Sequence, residues 1–305
     1  MAYQIICDGA CDVTAEQIEE WKVHIVPFYI SFDKEHYQKE IEEIGIREVY
    51  ERMVAEPKVI PKTSLPSVQD YVDVFTSYVE KGMDIICLCM TITLSGSYNS
   101  ACNAMEIVKD SYPDSRITVM DSKHCTVSEA LVLREVARMQ KDGCSYDQVL
   151  GVINQIIDSG RIFFTVGNVD YLAAGGRIGK VAAIATGLLS IRPIIILKDG
   201  EITANTAARG RKRSIQKVFE TVREFFEGNG ENPTDYEFNL GFGYDIEEGK
   251  ALLESFLKEF AQFAGRENTM LSQIGATVSV HTGPHAIGVG LVKRYDKLLT
   301  EGFSG

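Results

Sequence analysis

Short apolar runs alternate with longer amphipathic stretches through the first half of this chain, and that alternation constrains the fold more than any other feature. Residues 5–7, 24–32, 84–89 and 117–120 read as strands. Residues 14–21, 46–55, 68–81, 98–110, 126–141 and 146–159 read as helices, the third opened by Ser67 as an N-cap. Strands alternating with helices of this length build a parallel sheet covered on both faces. Near Gly160 the texture changes. Residues 162–166 and 193–197 read as strands, with a short helix at 169–174. Asp199-Gly200 then makes a hairpin turn into a strand at 201–204. Helices follow at 213–226 and 246–263, and strands at 236–243, 273–280 and 286–292. This half reads as a mixed sheet. The expected organisation is two α/β domains: a parallel-sheet domain over 1–160 and a mixed-sheet domain over 161–299. A ligand would sit at their interface, and 300–305 would form a frayed tail.

The chain has 305 residues, a formal net charge of -12 and a pI of about 5.0. Such an acidic surface is a poor counterion for nucleic acid or anionic membrane, so neither is expected as a partner. No apolar run approaches the roughly 18 residues of a membrane span, and no basic-plus-apolar leader opens the sequence. A soluble, cytoplasmic protein is the expectation. The seven cysteines are an odd number without a Cys-x-x-Cys pair. Cys87 and Cys89 fall inside an apolar run, where cysteine acts as a small hydrophobe. The five histidines are not in ligand spacing with them, so no metal and no cofactor are expected.

Polar clusters fall where an open α/β sheet holds its ligands, beyond the carboxyl ends of its strands. Asp8 and Asp12 follow the first strand. They could work as an acid–base pair or hold a cation; alternatively, Asp12 caps the next helix and Asp8 accepts backbone N–H groups. Thr63-Ser64-Leu65-Pro66-Ser67 offers hydroxyl donors to an anion, or simply leads into a helix. Thr91 to Tyr98 joins a strand to a helix N-terminus, where free N–H groups favour an anion and Gly96 allows close approach. No Gly-Lys-Ser/Thr follows, so this is not a nucleotide phosphate loop. Arg177 stands among glycines, free to bind a carboxylate or to pair with an acid. His281 follows an expected strand, either as a donor or as a satisfied strand-end histidine. The run from Arg209 to Arg213 is the densest positive cluster, at a helix start where the dipole opposes it.

In their order, these segments resemble the DegV family of fatty-acid-binding proteins. The resemblance runs through Asp8…Asp12, Thr63 to Ser67, Leu94 to Tyr98, Asp121-Ser122, Tyr171 to Ile178, Arg192-Pro193-Ile194, Asp199-Gly200 and His281 to Pro284. It implies a fatty acid in an apolar tunnel, with its carboxylate on Thr63, Ser95, His281 and Arg177. Ser64, Gly96, Ser97 and Arg209 would support them. It also implies no catalytic residue of the chain's own, and a separate ATP-dependent fatty-acid kinase as partner. Departures from the family pattern are Asp8-Gly9-Ala10, which lacks the serine common after the first aspartate, Ser97 for threonine, Arg192 for lysine and His285 for glycine. Two other readings are open. A lipid-sensing regulator would bind the same ligand without passing it on. A serine-type acyl hydrolase would use Ser95, His281 and one of Asp8, Asp12 or Asp121, although the Gly-x-Ser-x-Gly elbow is missing.

Overall fold

The computed structural model describes residues 2–183 and 191–299. In chain order the strands are β1 (Tyr3–Asp8), β2 (Val23–Val26), β3 (Tyr29–Ser31), β4 (Gln38–Lys39), β5 (Lys62–Ser64), β6 (Asp84–Cys89) and β7 (Ile117–Asp121). They continue as β8 (Arg161–Thr165), β9 (Ile191–Lys198), β10 (Glu201–Arg209), β11 (Tyr236–Phe242), β12 (Thr269–Gln273) and β13 (Ile287–Lys293). The helices are α1 (Ala15–Trp21), α2 (Ile46–Ala55), α3 (Val68–Val79), α4 (Ser97–Ser111) and α5 (Thr126–Lys141). After them come α6 (Tyr146–Ser159), α7 (Asp170–Ala174), α8 (Arg211–Asn229), α9 (Ile246–Glu259) and α10 (Ala276–Thr282).

The first sheet is parallel throughout, in the order β2-β1-β6-β7. Every residue of β6 is buried, as a central strand with helices on both faces requires. The second sheet runs β10-β9-β8-β13-β11-β12 and is mixed: β11 pairs in parallel with β12, and its other neighbours are antiparallel. A small third sheet, β4-β3-β5, lies outside both. The two expected sheet types are present. Residues 300–305, expected as a tail, lie outside the described residues.

Helix α5 joins the two sheets. Twelve of its sixteen residues are buried, so it has no broad solvent face. It packs on β1 of the first sheet and on β8, β11 and β13 of the second. One apolar cluster therefore runs from Ile5, Cys7 and Leu88 through Leu131 and Val132 to Val292 and Tyr295. Ion pairs reinforce the contact: Arg134 and Arg138 reach the buried Glu237 of β11 at 3.0 and 2.9 Å. The backbone N–H of Tyr295 donates to Glu135 at 2.7 Å.

Two segments differ from the sequence expectation. Residues 24–32 form two strands in different sheets, β2 and β3, broken at Pro27-Phe28. Proline lacks the N–H a ladder needs, and the Phe28 N–H turns aside to the Glu40 carboxylate at 3.2 Å. Residues 273–280, expected as a strand, are the end of β12 followed by helix α10. The Thr, Val, Ser, Val run of α10 has the β-branched composition of a strand, but six of its seven residues are buried. Ser279 and Thr282 return their hydroxyls to the carbonyls of Ala276 and Val278 inside the helix. Tertiary packing here outweighs a weak local preference. Strands β4 and β5 had no counterpart in the sequence reading; both are too short to carry a period.

Candidate functional site

A cavity of about 240 Å³ lies between the sheets. Its walls come from both halves: Phe28 and Met90 from the first, Ile162, Phe164, Leu197 and Ile274 from the second, with Val127 of α5 between them. Four polar side chains from four separate segments gather on this apolar wall: Thr63, Ser95, Arg177 and His281.

Each is fixed by local structure. Thr63 lies on β5, opposite Ile30 of β3, and Lys62 beside it ties the strand to α7 through the Ala174 carbonyl at 2.9 Å. Ser95 lies in the β6–α4 loop, folded by bonds from the Leu94 and Ser95 N–H groups to the Thr91 carbonyl. That loop is anchored across the cleft, where the Thr91 hydroxyl donates to the Gly200 carbonyl at 3.1 Å and Thr93 donates to the same oxygen. Gly200 has φ +81°, and a Cβ there would lie 2.7 Å from the Thr91 hydroxyl, so the β9–β10 turn requires glycine twice over. Arg177 follows α7. It donates to the carbonyls of Leu94 at 3.1 Å and Gly175 at 2.5 Å, bridging the loop that carries Ser95 and the end of α7. His281 is in the last turn of α10, not after a strand.

His281 Nε2 is 2.9 Å from the Thr63 hydroxyl. With the ring proton on Nε2, His281 donates to Thr63 and the threonine hydrogen is free for a ligand. Nδ1 is buried without a partner; it abuts Gly175, where a Cβ would come within 2.2 Å of it. Burial, then the nearby Arg177 and Lys62, push the His281 pKa down to about 4, so the ring is neutral at pH 7. Arg177 forms no ion pair among the described residues. The Ser95 hydroxyl accepts from the Ser97 N–H at 3.2 Å, which leaves its own hydrogen available. The cluster thus presents two hydroxyl donors and an uncompensated guanidinium, a donor set suited to a carboxylate.

Ser64 also lines the cavity and is exposed on its outer side. Gly96, Ser97 and Arg209 do not line it. Gly96 is the N-cap residue of α4. Ser97 is fully buried, bonded to the Tyr71 hydroxyl at 2.7 Å and to Asp8, and so organises the strand ends. Arg209 is exposed at the end of β10. In the same basic run, Arg211 is already held by Glu248 through two 2.6 Å bonds and donates to the His285 carbonyl at 2.7 Å.

Asp8 accepts the N–H groups of Ala10 at 3.2 Å and Met90 at 2.9 Å. Asp12 does not cap α1; Thr14 does, in a capping box with Gln17. Asp12 instead accepts the hydroxyl of Thr126, a cavity-wall residue held at φ +47°. Glu40 similarly accepts the N–H and hydroxyl of Thr277, another wall residue, at 3.1 and 2.8 Å. Nothing in the sequence sets Glu40 apart from the acids around it. Thr126 and Thr277 had no signal either: the first reads as an ordinary helix start and the second falls inside the strand expected over 273–280. Burial raises the carboxyl pKa values of Asp8 to about 6, Glu40 to about 7 and Asp12 to about 8. Among the described residues no helix is long and apolar enough to cross a membrane.

Two sheets sharing a buried helix, around one apolar chamber with a polar cluster on its wall, define an α/β protein built to enclose a ligand. The chain belongs to the DegV family: the family model, described as an uncharacterised protein family, matches residues 2–294. A DegV domain-containing protein of Clostridium acetobutylicum is 30% identical over 293 residues, covering 95% of this chain and 98% of the relative. A stearic-acid-binding protein from Eubacterium ventriosum has a crystal structure that superposes with a TM-score of 0.92. It is 42% identical, covering 97% of this chain and all of the other. A DegV lipid-binding protein from Thermotoga maritima superposes with a TM-score of 0.80 at 26% identity, covering 96% of this chain and all of the other.

Proposed function

We propose that the chamber holds a long-chain fatty acid, with its carboxylate on Thr63, Ser95, Arg177 and His281, and that the protein presents this carboxylate to a separate ATP-dependent kinase for acyl-phosphate formation. The observation that carries the binding reading is Arg177, without an ion-pair partner among the described residues, beside the Thr63–His281 pair on the wall of a mostly apolar cavity. The 42% identical relative that binds stearic acid supports it. An acyl chain of about 16 carbons gains on the order of 10 kcal/mol from burial, at about 0.8 kcal/mol per CH₂, before the entropic cost of binding. The head group then needs only a few bonds to fix orientation. Exposed Ser64 and Leu65 beside Thr63 support presentation, because they bring the carboxylate end close to the surface. The exposed side chains of Arg209, Lys212 and Arg213 are available to dock a partner, whereas Arg211 is committed to Glu248.

The geometry favours binding over acyl hydrolysis. His281 Nε2 is engaged by Thr63 rather than Ser95, and its low pKa makes it a weak base. Asp8, Asp12 and Asp121 are bonded to Met90, Thr126 and Lys123, not to His281. A triad needs the base held by an acid on one side and a nucleophile on the other. A sensor would bind the same ligand; acyl-phosphate formation with a fatty-acid kinase and ATP separates carrier from sensor.

Native mass spectrometry of the purified protein is expected to reveal a bound mass of one long-chain acyl group. Thr63→Ala and Ser95→Ala should each weaken binding by about 10- to 100-fold, the loss of one hydroxyl bond to a charged group, about 1.5–3 kcal/mol. Wild-type affinity of both variants for a fluorescent fatty acid would refute the head-group assignment.

A further inference from the structure

A second concavity of about 600 Å³ lies against the end of α10, lined in part by Arg192, His285, Val54, Pro57 and Ile60. Arg192 is the second residue of β9. Its side chain makes no hydrogen bond or ion pair among the described residues, and its Nη1 is buried without a partner. A buried guanidinium nitrogen with nothing to donate to costs free energy, and burial together with Arg211 lowers the Arg192 pKa. Arg211 does not relieve it: that side chain is a like charge, itself satisfied by Glu248. The His285 ring, exposed on the side of the same groove, also makes no hydrogen bond among the described residues. The charged groups facing the two are Arg211, Glu248 and Asp245 from the α8–α9 side, with Lys58 and Asp170 exposed at the rim. Beside these donors the wall becomes apolar, and Val54 is 40% exposed there.

We propose that this groove is a second ligand site, separate from the chamber, which takes a small molecule carrying an oxyanion. The phosphate or carboxylate group would accept from Arg192 and His285, and the organic part would lie on Val54, Pro57 and Ile60. An oxyanion supplies what the groove lacks, two acceptor atoms for a planar guanidinium fork. The site does not depend on the fatty-acid reading, although Thr282 lines both cavities. Two ligands on either side of one residue affect each other reciprocally where they couple at all.

Isothermal titration of phenyl phosphate and of benzoate into the fatty-acid-loaded full chain tests the proposal, because the chamber is then occupied. Saturable one-to-one binding of either compound is expected, and which one binds identifies the oxyanion. Arg192→Met should weaken it at least about tenfold and His285→Ala by a smaller factor. Val54→Ser should weaken the aromatic compound and leave inorganic phosphate unchanged. Stearate affinity should be unaltered in Arg192→Met. Absence of saturable binding by both compounds, or equal affinity in wild type, Arg192→Met and His285→Ala, would overturn the proposal. Arg192 makes no native bond, so its replacement leaves no partner stranded; His285→Ala provides a second, independent readout.

Discussion

Arg177→Met is expected to bind a long-chain fatty acid on the order of 100-fold more weakly than the wild type, the largest loss of any single change in the chamber. Thr63 and Ser95 offer neutral donors, and His281 is neutral at pH 7. In the proposed binding mode, Arg177 alone would bring a full charge to the buried end of the ligand. Truncating one partner of a desolvated charge pair costs about 2–5 kcal/mol, much of it from the carboxylate left behind. Arg177 also bridges the Leu94 and Gly175 carbonyls, so a structural contribution must be separated from the electrostatic one. Arg177→Lys makes the separation. It keeps the charge but not the fork, and should recover part of the affinity. A fatty alcohol, which has no carboxylate, should bind wild type and Arg177→Met within a factor of about three of each other, since only the charge term is missing. A fluorescent-lipid titration measures all three. Equal loss for acid and alcohol would mean that Arg177 holds the loop and not the ligand.

The second large effect concerns pH. Glu129 is fully buried on α5; one carboxyl oxygen accepts from Ser122 at 3.1 Å and the other has no partner. Burial, then Asp8 and Cys11, raise its pKa well above the usual carboxyl range. Asp8, Glu40 and Asp12 are raised in the same direction. A carboxyl raised on folding contributes stability that is fully present below its unfolded pKa. That contribution is lost as pH rises towards the folded value. His124 and His281 work oppositely: both are pushed down to about 4 by burial, so their contribution is lost as pH falls from 6.5 through 4. Four raised carboxyls outweigh two lowered histidines, so the net contribution of these groups should decline as pH rises from about 5 towards 8. Glu129→Gln replaces the protonated acid by a neutral isostere. It should flatten the decline of unfolding free energy as pH rises above about 5. Urea midpoints across that range measure the slope. An unchanged slope would mean that Glu129 is ionised in the folded protein.

Much of this architecture was legible from residue patterns, because α3 and α6 carry an amphipathic period behind a serine cap and β6 is an unbroken apolar run after Asp84. The two sheet types followed from the change of texture at Gly160. What was hidden depended on contacts distant in sequence. The run 276–280 carries strand-like residues and becomes a helix only because Tyr50, Met53 and the chamber surround it. His281 consequently projects from a helix end. The hydroxyl and arginine members of the site were visible as polar clusters at loop positions. The bond from His281 to Thr63 spans 218 residues, and no local pattern encodes it. Glu40 looks like a surface acid and is instead a junction between Phe28 and Thr277.

Helix α5 belongs in sequence to the first half, yet lies between both sheets, with Arg134 and Arg138 fastened to Glu237. A protein whose lobes are joined by a linker can swing open to admit cargo. Here such a swing would expose most of a buried helix and strand an acidic group on β11. For the proposed fatty acid, the low-energy route would then be threading through a local gap beside the exposed Ser64 and Leu65, where β5, α7 and the Ser95 loop meet through a few bonds of Lys62 and Arg177. Loading and unloading would become a matter of loosening that latch, and exchange rates should follow its strength more than the stability of the fold.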